Sequence, residues 1–247
     1  MNQIRVEGLT KVYKKYGKPY HVLLEKARLM KPVNTITALD NVSFEMERGE
    51  SAAVVGSNGA GKTTLMKTIL GIARPTSGFV SVAGDLTAIM VLGLGTHDFF
   101  SGAFNIYLFG TMIGMKKAEI RRKFDEIVSF AELEKFVNMP LRTYSAGMRL
   151  RLVFSVMIFK ETDGYVIDET LAFSDLGFQQ RCVQKLKERR KNGTTILIAS
   201  HDLPLIRTLT DRVLWIRGGN LIEDGPTENV LTRYERSYDI MNVWKEV

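Results

Sequence analysis

The stretch Gly56-Ser57-Asn58-Gly59-Ala60-Gly61-Lys62-Thr63 decides how this chain folds. Two glycines separated by four residues and followed at once by Lys-Thr have the spacing of a phosphate-binding loop. The glycines let successive backbone N–H groups converge on phosphate oxygens with no Cβ in the way. A helix that begins at Gly61-Lys62 adds the partial positive charge of its N-terminus. Lys62 is long enough to reach β- and γ-phosphates, and the Thr63 hydroxyl suits Mg²⁺. The four fixed positions arise by chance in about one chain of this length in a hundred. Context separates the match from a plain glycine-rich turn: residues 51–55 are small and apolar, as in a strand buried on both faces, and helical character resumes over 62–70.

Outward from the loop, residues 4–7 alternate as a short strand. Residues 42–46 alternate again, with Val42, Phe44 and Met46 on one face of an antiparallel strand. Pro75-Thr76-Ser77-Gly78 predicts a turn into a strand over 79–82. An amphipathic helix is expected over 116–136, where Ile120, Phe124, Ile127, Val128 and Ala131 share a face. Helices over 148–159, 177–191 and 203–210 alternate with apolar strands over 165–167 and 194–199. Gly218-Gly219-Asn220 marks a hairpin between two late strands. This alternation implies an α/β chain with a mainly parallel, doubly wound sheet.

With 247 residues, 45% hydrophobic and 25% charged, the composition excludes a disordered polymer and fits one large domain. The one cysteine, Cys182, excludes a disulfide framework and a cysteine-based zinc site. No apolar run reaches about 18 residues, so no spanning helix is expected. The first residues lack the apolar core of a secretory signal, so the expectation is a protein on the cytosolic side. The net charge of +7 is uneven: residues 1–37 hold eight Lys/Arg against two Glu, or +6, leaving +1 (7 − 6) for the rest. So local an excess speaks against a nucleic-acid face. The basic segment over about 14–37 reads equally as a rest for anionic lipid, a contact for an acidic partner, or a solvated loop.

Two further segments carry chemistry. Asp168-Glu169 ends the apolar strand, and because side chains alternate along a strand the two carboxylates face different tasks. Asp168 suits Mg²⁺ held through water, and Glu169 suits a water beside the γ-phosphate. Tyr144-Ser145-Ala146-Gly147-Met148 joins a polar turn to a helix start. It is either a second phosphate site, made from Ser145 and the amides of Ala146 and Gly147, or an ordinary capped helix. One chain rarely needs two γ-phosphate cradles, so a second cradle would serve a nucleotide held by another subunit.

Taken in order, these segments resemble the ATPase subunit of an ATP-binding cassette transporter over almost the whole chain. Gly56 to Thr63 matches the family's Walker A motif, with Thr64 next to it, and 165–169 matches Walker B with Glu169 as the catalytic glutamate. Tyr144 to Met148 stands at the signature motif, with Ala146 where glycine is usual. Leu171 to Asp175 falls at the D-loop, and Ser200-His201-Asp202 at the switch-histidine segment. Tyr13 sits where the family stacks an aromatic on adenine, and Tyr16 is the alternative ring. The family's loop glutamine is absent, and Val91 is the nearest positional match.

The resemblance implies a P-loop NTPase of the ABC type. Its parts would be a mainly parallel core sheet, an antiparallel β subdomain and a helical subdomain over about 97–160, in one nucleotide-binding domain spanning 1–247. It implies ATP and Mg²⁺ as cofactors, a head-to-tail homodimer, a separate transmembrane permease subunit, no nucleic acid, and a peripheral place on the cytoplasmic face of the inner membrane. Lys62, Glu169 and His201 would act on the phosphates.

Several details resemble the branch that exports lipid-linked polysaccharides such as O-antigen, capsule and teichoic acid: the long insert after Tyr13, the run 139–145, and 178–182 after the D-loop. No C-terminal glycan-recognition domain is expected. Residues 86–115 hold one formal charge, Asp98, and five glycines, which marks an apolar surface for the membrane subunit or a helical core. The rival readings are an ABC-type ATPase powering a different exporter, or a soluble one acting on nucleic acid or ribosomes.

Overall fold

The computed structural model of the protein describes residues 2–18, 32–89, 95–168 and 175–243. Strand β3 (Ser51–Val55) is buried along its entire length. Its two faces feed different cores. Ala53 and Val55 join one apolar cluster, whereas Ala52 and Val54 join the other. That is the strand-period consequence of covering a sheet on both sides, and it explains why no polar residue interrupts the strand's apolar interior.

Around β3 lies a six-stranded sheet in the order β5 (Leu86–Ile89), β6 (Gly164–Asp168), β7 (Thr195–Ala199), β3, β8 (Arg212–Arg217), β9 (Asn220–Pro226). The first five strands are parallel, and β9 returns antiparallel to β8 through the expected hairpin. Helix α1 (Lys62–Ile69) packs Leu65, Met66 and Ile69 into the second cluster.

A separate antiparallel sheet runs β2 (Asn34–Glu47), β1 (Asn2–Lys15), β4 (Ser77–Val82). Val42, Phe44 and Met46 are buried on one face as the alternation required. Strand β1 runs well past Glu7, because its ladder bulges around Gly8 (φ 56°) and then resumes. Of the basic insert, the flanks up to Lys15 and from Asn34 belong to this ribbon, while 19–31 lie outside the described residues.

Helices α2 (Gly102–Met112), α3 (Lys117–Ala131) and α4 (Ala146–Phe159) form a helical layer against the first cluster. The expected helix over 116–136 stops at Ala131, because Glu132 takes a left-handed conformation with φ 57°. Helices α5 (Leu176–Lys191), α6 (Leu203–Leu209) and α7 (Thr227–Val243) complete the fold, the last not anticipated from sequence. Among the described residues no helix is long and apolar enough to cross a membrane.

Candidate active site

The loop after β3 leaves the carboxyl edge of the sheet and enters α1 directly. Two of its glycines are required by close approach. A Cβ on Gly56 (φ 154°) would lie 2.2 Å from the carbonyl oxygen of Ile216, and one on Gly61 (φ 114°) 2.4 Å from that of Ala38. Gly61 is the N-cap of α1 and offers no side-chain cap. The first-turn N–H groups at Lys62, Thr63 and Thr64 therefore have no intrahelical acceptor and point into a cleft. That cleft, about 350 Å³, is lined by Ala38, Asn58, Gly59, Ala60, Gly61, Lys62, Thr63 and Thr64. Backbone donors at a helix N-terminus, beside an ammonium and with no Cβ in the cradle, fit a polyphosphate.

Lys62 is buried, and its ammonium donates to the carbonyls of Gly56 (2.8 Å) and Ser57 (3.2 Å). It also lies 3.2 Å from His201 Nε2. An ammonium only donates, so this contact requires Nε2 to accept and places the imidazole proton on Nδ1. His201 is held there by local turn chemistry: the Asp202 N–H donates to the Ser200 hydroxyl (3.0 Å), and the Asp202 carboxylate accepts from Leu205 N–H (2.9 Å), capping α6.

Ala199 pairs with Val54 of β3 on one side and with Asp168 of β6 on the other. Asp168 therefore ends two strand spacings from the loop's lead-in, about 10 Å. Its side chain is buried at the same sheet edge, while Thr63 is exposed in the first turn of α1. A hydroxyl and a carboxylate are the hard oxygen donors that Mg²⁺ prefers. Glu169, residues 171–174 and Val91 lie outside the described residues. Tyr13 sits on β1 opposite Ile36, 42% exposed, with Lys11 Nζ 4.9 Å from its ring centre. Tyr16, just past the strand, is half-buried.

The second candidate cradle opens α4. The Ser145 hydroxyl accepts from Met148 N–H at 3.2 Å, and Ser145, Ala146 and Gly147 are exposed. Tyr144 turns the other way. It is buried, its hydroxyl donates to the Phe136 carbonyl at 2.7 Å, and burial raises its pKa. Tyr144 thus lines neither cleft. Ser145, Gly147 and Met148 share a cleft of about 180 Å³ with Leu150, Arg151, Asp175 and Phe178. Asp175 caps α5, and the Phe178 N–H donated to its carboxylate holds it below the ordinary carboxylate range. The two clefts share no lining residue.

Four lining residues were not singled out as site residues from sequence: Ala38, Leu150, Arg151 and Phe178. Arg151 had a legible signal, as one of two arginines, with Arg149, at the start of the largely apolar helix α4. Ala38 and Leu150 had none of their own, and Phe178 entered only within the run 178–182. The apolar stretch 86–115 divides in two. Ile106 and Phe109 are core, whereas Phe99 (69%), Phe104 (50%) and Met112 (62%) are exposed. Buried Asn105 ties the exposed loop down, its amide donating to the carbonyls of His97, Phe100 and Ser101 and its oxygen accepting from His97 N–H.

Residues 39–172 match the family model described as ABC transporter, a span that holds the loop, the second cradle and the carboxylates. The chain is 38% identical over 200 residues to the O-antigen export system ATP-binding protein RfbB of Klebsiella pneumoniae, covering 81% of each. It is 34% identical over 244 residues to the teichoic acids export ATP-binding protein TagH of Bacillus anthracis, covering 98% of this chain and 44% of that one. A dimeric ATP-binding cassette solved in a post-hydrolysis state superposes with a TM-score of 0.72 at 20% identity, over 91% of this chain and 98% of that one, which supports the fold. A glycine loop of backbone donors at the carboxyl edge of a parallel sheet, a helical layer opened by the Ser145 turn, and this family match agree: the chain belongs to the ABC transporter family, as an ATP-binding and ATP-hydrolysing domain.

Proposed function

We propose that this chain is the ATPase subunit of an exporter that passes a lipid-linked polysaccharide, of the O-antigen, capsule or teichoic-acid type, across the inner membrane. It works as a head-to-tail homodimer on the cytoplasmic face, attached through a separate permease subunit, and forms a single nucleotide-binding domain. The observation that carries the shared-site part is the separation of the two clefts. Lys62 and His201 meet in one, while Ser145 and Asp175 line the other, with no residue in common. A second copy turned end to end brings the Ser145 turn over the loop of its neighbour. The relatives' names support the export class.

In this reading the first-turn N–H groups of α1 and the Lys62 ammonium bind and orient the phosphates. Thr63 and Asp168 would hold Mg²⁺, which when bound would offset the negative charge of the phosphates. Glu169 orients a water and accepts its proton, and the His201 ring contacts the γ-phosphate once Lys62 turns to the nucleotide. The Ser145 hydroxyl and the amides at 146–147 complete the anion cradle from the other subunit. Preorganised donors of this kind supply most of the rate enhancement in phosphoryl transfer. The exposed Phe99, Phe104 and Met112 provide the apolar seat for the permease.

The export reading is tested in the host by Lys62→Ala. Lipid-linked glycan accumulates at the cytoplasmic leaflet and is lost from the surface if the reading holds. Unchanged surface glycan contradicts it.

A further inference from the structure

Glu132 is a residue that its backbone does not favour. It takes φ 57° at the C-cap of α3, a conformation that glycine or asparagine adopts more readily. It also places a carboxylate at the negative end of the helix dipole, in a last turn with no basic residue to offset it. Local structure thus gives two reasons against a glutamate here. The reason for one lies in what its side chain reaches. One oxygen lies 2.9 Å from Arg151 Nη1 on α4, and the other 2.8 Å from Arg181 Nη2 on α5. The same Arg151 nitrogen is 3.4 Å from Asp175, the cap of α5. Arg181 in turn lies over the ring of Phe178, 5.6 Å from its centre, and Phe178 donates its N–H to Asp175.

Glu132 therefore joins the end of α3 to two segments: the helix that Ser145 opens, and the start of the helix that Asp175 caps. Asp175 also ends the segment 171–175. Both line the second cleft, and Arg151 lies in its wall. Four charges on three helices share ion pairs, so moving one shifts the others, which isolated surface pairs do not do.

We propose that Glu132 is a positioning residue for ATP hydrolysis: its carboxylate clamps Arg151 and Arg181, and so sets the Ser145 turn relative to Asp175 as one unit presented to the nucleotide of the neighbouring subunit. This rests on the shared-site reading above. The residue touches no nucleotide and acts through the two arginines.

The test compares Glu132→Gly, Glu132→Gln and Ser145→Arg in the full chain, reading kcat and KM for ATP, the affinity of the isolated subunit for a fluorescent ATP analogue, and Tm. Glycine relieves the left-handed backbone and removes the carboxylate from the negative end of the helix, so the absence of any role for the side chain predicts wild-type or higher Tm and full turnover. The clamp predicts that Glu132→Gly keeps or raises Tm and keeps analogue affinity within about twofold, while kcat falls roughly tenfold, because small misplacement of reacting groups is costly. Glu132→Gln, which keeps the backbone and loses the charge, falls similarly. If both glutamate variants turn over like wild type while Ser145→Arg is inactive, the shared site stands and the clamp is wrong. If Ser145→Arg also turns over like wild type, the shared site fails and takes the clamp with it. A loss of kcat that only tracks a loss of Tm makes Glu132 structural and likewise overturns the proposal.

Discussion

Tyr144→Phe separates a nucleotide-contacting hydroxyl from a structural one. The hydroxyl donates to the Phe136 carbonyl at 2.7 Å, and a Cβ on Gly102 would come within 2.1 Å of it, so the oxygen is both bonded and closely packed. Loss of a buried hydrogen bond costs about 0.5–1.5 kcal/mol, and a carbonyl left without any donor raises that toward 3 kcal/mol. The Phe136 carbonyl also accepts from Met139 N–H at 2.8 Å, so it is not left bare and the lower figure applies. The expected loss is about 1 kcal/mol, which for a chain of this size lowers Tm by about 2–4 °C. Turnover measured well below Tm should stay within about twofold of wild type, since a packing change leaves the phosphate donors in place. Thermal unfolding followed by circular dichroism and a phosphate-release assay read the two effects. An unchanged Tm with turnover lost would show that the hydroxyl serves the nucleotide and that its bond to Phe136 carries no stability.

Gly61→Ala forces a Cβ to within 2.4 Å of the Ala38 carbonyl at a φ of 114°. It should destabilise the fold by about 1–3 kcal/mol in urea unfolding and abolish binding of a fluorescent ATP analogue, because the cradle must open to admit the methyl group; undiminished binding would mean that the loop adjusts freely. Tyr165 gives a pH signature. Its buried hydroxyl lies 2.9 Å from the Ile158 carbonyl and 3.1 Å from that of Lys160, and burial raises its pKa to about 12. The unfolded chain therefore loses this proton first. Stability contributed by the neutral phenol is complete below pH 10 and declines as pH rises toward 12, by up to about 3 kcal/mol. Tyr165→Phe should remove that part of the alkaline decline, and an identical pH profile in the variant would contradict the assignment.

The parts of the fold that were legible in the sequence are those where one physical demand left one pattern. Residues 51–55 had to be apolar on both faces, and the glycines after them had to admit carbonyls where a Cβ would stand, so strand and loop were readable together. Val42, Phe44 and Met46 alternated because only one face of β2 meets a core. The misses have equally specific causes. The alternation that marks strand β1 stops near Glu7, whereas the ladder continues through a bulge at Gly8. Strand β5 has four residues within an apolar run that offers no boundary. Helix α2 is apolar on every side, so no helical period marks it, and only the Ser101 cap accepting from Phe104 N–H announces its start. Helix α3 ends at Ala131 although apolar residues continue through Leu133 and Val137, because the stop is a glutamate in a glycine's conformation. In the candidate site, the phosphate loop and Asp168 are legible from spacing and a strand end, whereas His201 rests on the family resemblance. The inward turn of Tyr144 is not legible, since a tyrosine beside a capping serine reads the same whether its ring faces in or out.

The sharing of each nucleotide between two copies is tested most directly by mixing two inactive variants, Lys62→Ala and Ser145→Arg. Random exchange makes half of the dimers mixed, and each mixed dimer rebuilds one site of two, so an equal mixture should recover about one quarter of wild-type ATPase activity while each variant alone stays near zero. A mixture as inactive as its parents, or a Ser145→Arg protein that hydrolyses ATP at the full rate alone, would contradict the shared arrangement.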